Sequence, residues 1–314
     1  MRQTTNTIVM IRPVAFRRNE QTAVNNYYQK SESGLLPASV NAKAQAEFDR
    51  LVLKLEEAGV NVIVVDDTAT PDTPDSIFPN NWISFHESAE VTLYPMFAEN
   101  RRMERRDDLL DILEENGFYI EQLVDYSAAE NDNVFLEGTG SLVLDRENGK
   151  AYCAVSPRSD EELMIEFCED FEMDPVIFDA FQTVNGERKP IYHTNVMMSV
   201  GEKFAVICAD SIDDAKERKM VLDCLRSDGK EIVLITEEQV NCFAANILQV
   251  RGDDDKRFIV MSESAFKSFT PVQLKVLEKH GEIINSDLTT IETHGGGSAR
   301  CMMVEVFLPL QEEE

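Results

Sequence analysis

Segments with helical hydrophobic spacing alternate along the chain with short apolar runs, and this pairing occurs five times. Each longer segment repeats its apolar residues every three or four positions, which predicts an amphipathic helix facing a core. Each short run predicts a strand. The pairs are ASVNAKAQAEFDRLVLKLEEAG with VNVIVVDD, RRDDLLDILEENG with YIEQLVD, DEELMIEFCEDFEMD with PVIFDAF, DDAKERKMVLDCLRSDG with EIVLITE, and TPVQLKVLEKHG with EIINSD.

The ends of the predicted helices recur at a regular period. Glycine, a common residue just after a helix, stands at positions 59, 117, 229 and 281, at intervals of 58, 112 and 52 residues. The middle interval is two periods of 56, and Met173 stands at its midpoint, where the third unit lacks a glycine. Between one unit's last strand and the next helix there is room for two strands, such as NILQVRG and KRFIVMSES. The repeat is therefore a strand, strand, helix, strand module.

Five stacked modules that close into a ring leave only short exposed sheet edges. We therefore predict an α/β fold, a five-bladed α/β propeller, with its functional site on the axis. The chain has 314 residues, 43% of them hydrophobic, which is enough for one large core. Since no linker rich in Pro, Gly or Ser divides the sequence, residues 1–314 are expected to form a single domain.

The charge of the chain narrows the choice of partners. With 30 basic and 58 acidic residues, the formal net charge is -28. Such a surface repels phosphate backbones and anionic lipid, so nucleic acid and membranes are poor partners. The N-terminus has no signal-peptide pattern and no apolar run is long enough to cross a bilayer, so we expect a cytoplasmic protein. The six cysteines form no CxxC pair, which predicts reduced thiols and neither disulfides nor a zinc site.

The stretch HGGGSARCM, from His294 to Met302, combines three consecutive glycines with a cysteine. Glycines let a ligand approach the main chain closely. The run MMVEVFLPL, which follows Cys301, predicts a strand. A thiol between a flexible loop and a rigid element is well placed to be a nucleophile, although a lone cysteine also fits a small buried hydrophobe.

Three further segments carry candidate chemistry. Glu137 in FLEGTG ends an apolar run, where burial can raise a carboxyl pKa towards that of a useful base. In PIYHTNVMMSVGE, strand alternation would place His193 and Asn195 on one face. Asn81, in DSIFPNNWISFH, fits a tight turn. Each signal alone also fits a structural role, but a cysteine, a histidine and a carboxylate at repeat boundaries would converge on the axis and could activate a thiol.

The remaining polar segments supply secondary candidates. The stretch from Arg17 to Tyr28 shows neither alternation nor a helical stripe, which predicts a long loop able to close as a lid. His86 is expected to begin a turn and His280 to lie at the end of a helix, where its charge is favourable. His294 borders the glycines and is a reserve candidate.

Glu137 in FLEGTG, His193 in HTN and Cys301 in GGGSARCM occur in the order found in the guanidino-group-modifying, or pentein, superfamily, which the whole chain resembles. Its members include arginine deiminases, dimethylarginine hydrolases, amidinotransferases and succinylarginine dihydrolases, all five-bladed α/β propellers. The resemblance implies that Cys301 is the nucleophile, His193 the general acid and base, and Glu137 the catalytic carboxylate. It also implies that Arg158, in AVSPRSD, holds the substrate carboxylate.

Two asparagines depart from the arginine deiminase pattern. Where those enzymes carry aspartates in segments like FTRDP and HxD, this chain has Asn81 in FPNN and Asn195 in HTN. A guanidinium offers only donors and a positive charge, which a carboxylate satisfies better than an amide. A ureido group has both a carbonyl acceptor and amide donors, which asparagine can match. The chain therefore looks most similar to the citrulline-hydrolysing branch of the superfamily.

This comparison predicts a cysteine-dependent hydrolysis of citrulline to ornithine, ammonia and carbon dioxide, without metal or organic cofactor. Cys301 would attack the ureido carbon, and His193 would protonate the leaving amine. Backbone amides of the glycine stretch or an asparagine would stabilise the oxyanion. Arg300 either lowers the pKa of the neighbouring thiol or is a surface residue.

Two alternatives remain open. The first keeps the chemistry but changes the substrate to arginine or a substituted guanidine, as in a deiminase, a dimethylarginine hydrolase or an amidinotransferase. The second is a non-catalytic propeller, since fold alone does not determine function. Changing either asparagine to aspartate should shift preference towards a guanidinium if the ureido hypothesis holds. The sequence leaves open whether the chain forms a homodimer.

Overall fold

The computed structural model describes residues 1–30 and 36–311, in which short strands and helices alternate. The strands are β1 Thr7–Arg12, β2 Asn61–Asp66, β3 Ile83–Phe85, β4 Glu90–Leu93, β5 Gln122–Asp125, β6 Leu142–Asp145, β7 Lys150–Val155, β8 Asp174–Asp179, β9 Phe181–Val184, β10 Glu187–Pro190, β11 Met198–Val200, β12 Phe204–Ile207, β13 Glu231–Leu234, β14 Leu248–Arg251, β15 Arg257–Ser262, β16 Glu282–Ser286 and β17 Val304–Glu305.

Helices connect the strands. The α-helices are α1 Pro37–Glu57, α2 Glu99–Arg102, α3 Asp108–Glu115, α4 Gly138–Ser141, α5 Glu161–Asp170, α6 Ala215–Ser227, α7 Glu237–Val240, α8 Glu263–Ser268, α9 Pro271–Leu277 and α10 Thr289–Gly295. Short 3-10 helices span Pro79–Asn81, Ser127–Asp132, Thr194–Val196, Ala209–Ser211, Asp253–Asp255 and Ala299–Met302.

Five three-stranded sheets share one topology. In β3-β4-β5, β6-β7-β8, β11-β12-β13 and β14-β15-β16, the middle strand pairs antiparallel with the first strand and parallel with the third. A helical connection joins the second strand to the third, as a parallel pair requires. The predicted α/β class and the strand, strand, helix, strand order are both confirmed. First strands of neighbouring sheets also touch: β17 contacts β3, and β6 contacts β11.

The fifth sheet joins the two ends of the chain. Its order is β17-β1-β2, so the last strand supplies the antiparallel neighbour of the first. Ile8 pairs with Glu305 and Val9 with Val304. A separate two-stranded hairpin, β9 with β10, lies between the third and fourth sheets along the chain.

The longest helix illustrates why the predicted units form. Pro37 starts α1 with its fixed φ, and the buried residues Val40, Ala44, Phe48 and others recur every three or four positions. Gly59 follows at φ +78°, and a Cβ there would lie 2.2 Å from Asp253.

Left-handed residues end other units as well. Gly117 and Gly229 have positive φ values, as predicted for residues after a helix. In the third unit, Glu172 takes the left-handed conformation at φ +51°, next to the position where the sequence period placed Met173. Gly281 shows no positive φ; it gives room instead, since a Cβ there would lie 3.0 Å from the carbonyl oxygen of Arg257.

Several predicted elements differ from the structure. The run VNVIVVDD was predicted to be a buried strand, but Val64 in β2 is 40% exposed because this outer strand has one face open. MMVEVFLPL is a strand only at Val304–Glu305. His193 and Asn195 do not share a strand face: a 3-10 helix spans Thr194–Val196. The predicted loop is irregular through residue 30, and its last residues, 31–34, lie outside the described residues.

No helix within residues 1–30 and 36–311 is long and apolar enough to span a bilayer. All six cysteines are free thiols, as predicted.

Candidate active site

Short helical turns ahead of the first strand of each sheet deliver the candidate residues. Asn81 lies two residues before β3, Gly140 two residues before β6 and Asn246 two residues before β14. Asn195 and Cys301 lie three residues before β11 and β17. The turns contact one another: α4 touches the 3-10 helices Pro79–Asn81 and Thr194–Val196, and the former touches Ala299–Met302. The repeat therefore brings residues from five sheets to one place.

Glu137 and His193 form a buried pair. His193 Nε2 lies 2.7 Å from Glu137 Oε2, and the backbone N–H of Phe97 donates to Glu137 Oε1 at 3.0 Å. Burial opposes ionisation of Glu137, but the charge of Arg158 and the His193 hydrogen bond outweigh it and lower its pKa to about 2. Burial, only partly offset by Glu137, lowers the pKa of His193 to about 4. The carboxylate is thus charged and the imidazole neutral, so Nε2–H donates and Nδ1 is free to accept a proton.

Arg158 links this pair to the predicted loop. Its Nη1 lies 3.5 Å from Glu137 Oε2, and its Nε donates to Asn25 Oδ1 at 2.9 Å. Its Nη2 donates to the carbonyl of Thr22 at 2.8 Å. The guanidinium also lies over the ring of Tyr192, 4.9 Å from its centroid. Arg158 is only 1% exposed and lines the pocket described below.

Two asparagine side chains contact the sulfur of Cys301. Asn246 Nδ2 lies 3.2 Å from Sγ, while Asn195 places its Nδ2 at 3.6 Å and its Oδ1 at 3.7 Å. Asn195 Nδ2 also donates to the carbonyl of Thr139 at 3.0 Å, which fixes the amide orientation because a carbonyl only accepts. Burial raises the pKa of the Cys301 thiol, opposed by the Asn246 hydrogen bond and the nearby Arg300 charge. The resting sulfur is therefore a thiol held by amide donors.

Asn81 is oriented by a buried arginine. Arg101 Nη1 donates to Asn81 Oδ1 at 2.7 Å, and Arg101 is itself paired with Glu104 at 2.9 Å. Because a guanidinium has only donors, the atom facing it is the amide oxygen. Asn81 Nδ2 is buried without a hydrogen-bond partner among residues 1–30 and 36–311. A Cβ on Gly140 would lie 2.4 Å from this nitrogen and 2.8 Å from His193 Nδ1, so glycine lets both groups reach the same space.

A small pocket joins the two halves of the site. It is lined by His193, Cys301, Asn81, Arg101, Arg158, Asp75, Phe78, Thr22, Asn26, Tyr192 and the three glycines 295–297. Its enclosed space is about 10 Å³, room for about one water molecule. Asp75 is buried, and only its Oδ2 has partners, Asn19 at 2.8 Å and Thr22 at 3.0 Å. Burial raises the pKa of Asp75, opposed by Arg101.

The predicted loop closes over this pocket and bonds to the glycine stretch. Asn26 Nδ2 donates to the carbonyls of Gly295 and Gly296 at 3.3 and 3.2 Å, and Gln29 Nε2 donates to Gly295 at 3.1 Å. Tyr192 donates its hydroxyl to the Gly296 carbonyl at 2.6 Å. Gly296 has φ +63°, a conformation that favours glycine.

The structure brings together all six residues selected from the sequence, namely Cys301, His193, Glu137, Asn81, Asn195 and Arg158. Sequence reasoning missed Asn246, Arg101 and Asp75. Arg300 is not a surface residue: it is 8% exposed and pairs with Glu305 at 2.8 Å. No cluster of three or more His, Cys, Asp and Glu side chains able to hold a metal occurs among the described residues.

The other histidines lie elsewhere in the fold. His86 is buried, stacks on Phe171 and bonds to Ser84 at 2.8 Å. His280 lies 2.9 Å from Glu231. His294 is buried in the last turn of α10.

Solved structures with the same fold are guanidino-group enzymes. ArgZ, an arginine dihydrolase of the ornithine-ammonia cycle in cyanobacteria, matches with a TM-score of 0.71 and 19% identity over 97% of this chain. The chain spans only 41% of full-length ArgZ, but 97% of the substrate-bound N-terminal domain of ArgZ. A dimethylarginine dimethylaminohydrolase (DDAH) from Pseudomonas aeruginosa, complexed with citrulline, matches with a TM-score of 0.65 and 15% identity over 96% of this chain and 99% of that one.

These neighbours belong to the pentein superfamily, the class that the sequence resemblance predicted. The chain belongs to the family described as N,N dimethylarginine dimethylhydrolase, eukaryotic, whose model matches residues 12–308. No curated protein matches the chain in sequence.

Proposed function

We propose that the protein hydrolyses the ureido group of citrulline through a covalent Cys301 intermediate. The observation that carries this proposal is the orientation of Asn81. Its oxygen is occupied by Arg101 at 2.7 Å, so its unpartnered amide nitrogen is the group offered to the pocket. A buried donor without a partner favours a ligand acceptor there. The carbonyl of a ureido group is such an acceptor, and a guanidinium is not.

The proposed reaction uses the buried pair as a proton relay. His193 Nδ1 takes the thiol proton, and Cys301 attacks the ureido carbon. Amide donors, including Asn81 Nδ2, stabilise the oxyanion, and His193 returns the proton to the departing ornithine nitrogen. Water, deprotonated by His193, then cleaves the carbamoyl–sulfur bond, and the resulting carbamic acid gives ammonia and carbon dioxide. Glu137 stays ionised and stabilises the imidazolium that forms in each half of the reaction.

Arg158 is the proposed anchor of the substrate carboxylate, with Arg101 as a second nearby cation. Bidentate pairing with a carboxylate suits a guanidinium. In the closed loop, Arg158 bonds to Asn25 and to the Thr22 carbonyl. A substrate carboxylate would replace these bonds, which requires the loop of residues 17–30 to open and then close again as a lid.

We also infer that the five three-stranded sheets are the blades of a propeller around a common axis. This arrangement is supported by the shared topology, by contacts between neighbouring first strands, and by the meeting of the turns that precede them. In this proposal the protein acts as a single catalytic domain in the cytoplasm on a small amino acid, without metal, organic cofactor, nucleic acid or membrane. A homodimer is compatible with it.

A guanidinium substrate is the alternative, and Asp75 favours it. Asp75 lines the pocket, and its Oδ1 is buried without a partner in the described part of the chain. A carboxylate oxygen in this state is a strong acceptor for a cationic group. ArgZ acts on arginine, and the family description names dimethylarginine.

The test is to incubate purified protein with citrulline, arginine or dimethylarginine and to measure ornithine, citrulline and ammonia. The expected result is ornithine and ammonia from citrulline, abolished in Cys301→Ala. Citrulline formed from arginine or dimethylarginine, with no turnover of citrulline, would instead establish the guanidinium alternative.

A further inference from the structure

A second cavity lies behind the nucleophile, apart from the substrate pocket. It encloses about 30 Å³, and none of its lining residues lines the substrate pocket. Its walls come from the first strands β6, β11 and β14 and from Gln3 and Glu305. Asn195, whose amide contacts Cys301, also lines it. The space is large enough for one or two water-sized particles and too small for an amino acid.

Arg146 gives this cavity a buried positive charge. Its side chain is 4% exposed, and no carboxylate of the described residues lies within 4.0 Å of its nitrogens. Nη1 has one long contact, 3.4 Å to His86 Nδ1, and Nε and Nη2 have no hydrogen-bond partner among residues 1–30 and 36–311. The guanidinium lies 4.3 Å from the centroid of the Phe307 ring.

The neighbours of Arg146 do not neutralise it. Burial and the Arg146 charge keep the pKa of His86 well below its usual value, so that imidazole is neutral. Arg300 and Glu305 also line the cavity, but they pair with each other at 2.8 Å. Two guanidinium groups therefore face one carboxylate, which leaves one positive charge in excess. An arginine cannot lose its proton in a protein, and an isolated buried charge is costly.

Ser199 supplies an independent sign of a ligand. Its hydroxyl is buried, has no hydrogen-bond partner within the described chain, and belongs to a residue that lines the same cavity and is 8% exposed. A buried polar group without a partner is rare unless water or an ion binds it. A hydroxyl can donate to an anion, as a guanidinium does.

We propose that this cavity binds one small monovalent anion, of the size of chloride or bicarbonate, held by Arg146 and Ser199. The anion neutralises the excess charge of Arg146, which a water molecule cannot do. The site does not depend on whether the enzyme acts on a ureido or a guanidinium group, since it shares no lining residue with the substrate pocket. It is also unexpected for the surface charge of -28, which disfavours anions outside the cavity.

The direct test is bromide, a chloride substitute that can be located by its anomalous scattering. Crystals of the wild-type protein soaked in sodium bromide should give an anomalous peak in the cavity between Arg146 and Ser199. The peak should disappear in Arg146→Gln and weaken in Ser199→Ala. Arg2→Gln, which changes an exposed arginine, is the matched control and should keep it. Surface bromide sites without a peak in the wild-type cavity would overturn the proposal.

Solution measurements cover variants that do not crystallise and identify the source of the anion. Replacing gluconate with chloride or bicarbonate at constant ionic strength should raise the Tm of the wild type and of Arg2→Gln, by about 2–4 °C at a tenfold excess over the Kd. Arg146→Gln should show no such rise, with its fold verified by circular dichroism. Bicarbonate that removes the bromide peak would identify bicarbonate as the preferred ion, whereas equal Tm changes in wild type and Arg146→Gln would contradict a specific site.

Discussion

Asn81 is the single side chain on which the choice of substrate depends most. In Asn81→Asp, one carboxylate oxygen would stay on Arg101 and the other would replace the amide nitrogen that faces the pocket. That oxygen repels a ureido oxygen and attracts a guanidinium. We expect kcat/KM for citrulline to fall by about 100-fold or more, the usual effect of losing one oxyanion donor. Turnover or binding of arginine should improve, as measured by steady-state kinetics and calorimetry.

Asn195→Asp is the control for this substitution. Its new oxygen would face the Thr139 carbonyl and the Cys301 sulfur, so activity should fall with both substrates. This expectation refines the sequence argument, which treated the two asparagines alike. Unchanged citrulline turnover in Asn81→Asp, without any gain for arginine, would contradict the proposed role of Asn81.

Asn246 is expected to stabilise the thiolate of Cys301, because its Nδ2 lies 3.2 Å from the sulfur and its Oδ1 accepts from the Cys301 N–H at 3.4 Å. Hydrogen bonds to charged groups contribute about 1.5–3 kcal/mol, so Asn246→Ala should slow the attack by about 10- to 100-fold. The pH profile of Cys301 alkylation should move to higher pH, and further still in Asn246→Asp. Peptide mass spectrometry can follow Cys301 and the half-buried Cys242 together, and the Cys242 profile should not move.

The Glu137 and His193 pair predicts the acid limb of activity. His193 must be neutral to take the thiol proton, so kcat/KM should fall as the pH drops towards about 4. Glu137 raises the pKa of His193, whereas burial and the charges of Arg158 and Arg101 lower it. Removing the carboxylate charge in Glu137→Gln should therefore move the acid limb to lower pH and also reduce kcat. A histidine NMR titration provides a second measurement, and a higher His193 pKa in Glu137→Gln would be inconsistent with this assignment.

At the scale of elements, helices and strands could be predicted because each has a long hydrophobic period. The helix α1, from Pro37 to Glu57, and the strand β1 were located to within a residue or two. The turns that carry the chemistry have no such period. The alternation argument for His193 and Asn195 was wrong because Thr194–Val196 is a 3-10 helix, in which side chains do not alternate between two faces. Both residues still reach the site because that turn points towards the other turns.

The residues that sequence reasoning missed are polar groups in segments without a chemical motif. Asn246 stands in AANIL, an apolar stretch, but it occupies the same position relative to β14 as Asn81 does relative to β3. Aligning the repeats by their first strands would have selected it. Arg101 and Asp75 could not be found in this way, because their roles depend on contacts made across the fold with Asn81 and with the loop.

At the scale of the whole molecule, the two ends of the chain form one sheet, and this closure also positions the nucleophile. Cys301 lies three residues before β17, whose only partner strand is β1 in the part of the chain that the structure describes. Just beyond β17, the N–H of Val306 donates to the Thr7 carbonyl at 2.9 Å, and Thr5 donates its hydroxyl to the Val306 carbonyl at 2.7 Å. Stability and catalysis are therefore expected to be coupled through this segment.

Val306→Pro tests the coupling, because proline has no N–H and leaves the Thr7 carbonyl without its donor. Losing this bond should lower the free energy of unfolding by about 1–3 kcal/mol, measured by urea denaturation. It should also reduce kcat/KM, because the segment that holds Cys301 is no longer fixed to β1. Val306→Ala is the matched control: it keeps the N–H and loses only packing of a buried side chain, so it should reduce stability but leave kcat/KM unchanged. If Val306→Pro retains full kcat/KM while its stability falls, the closure of the sheet serves stability alone and Cys301 is positioned by its own turn and by Asn246.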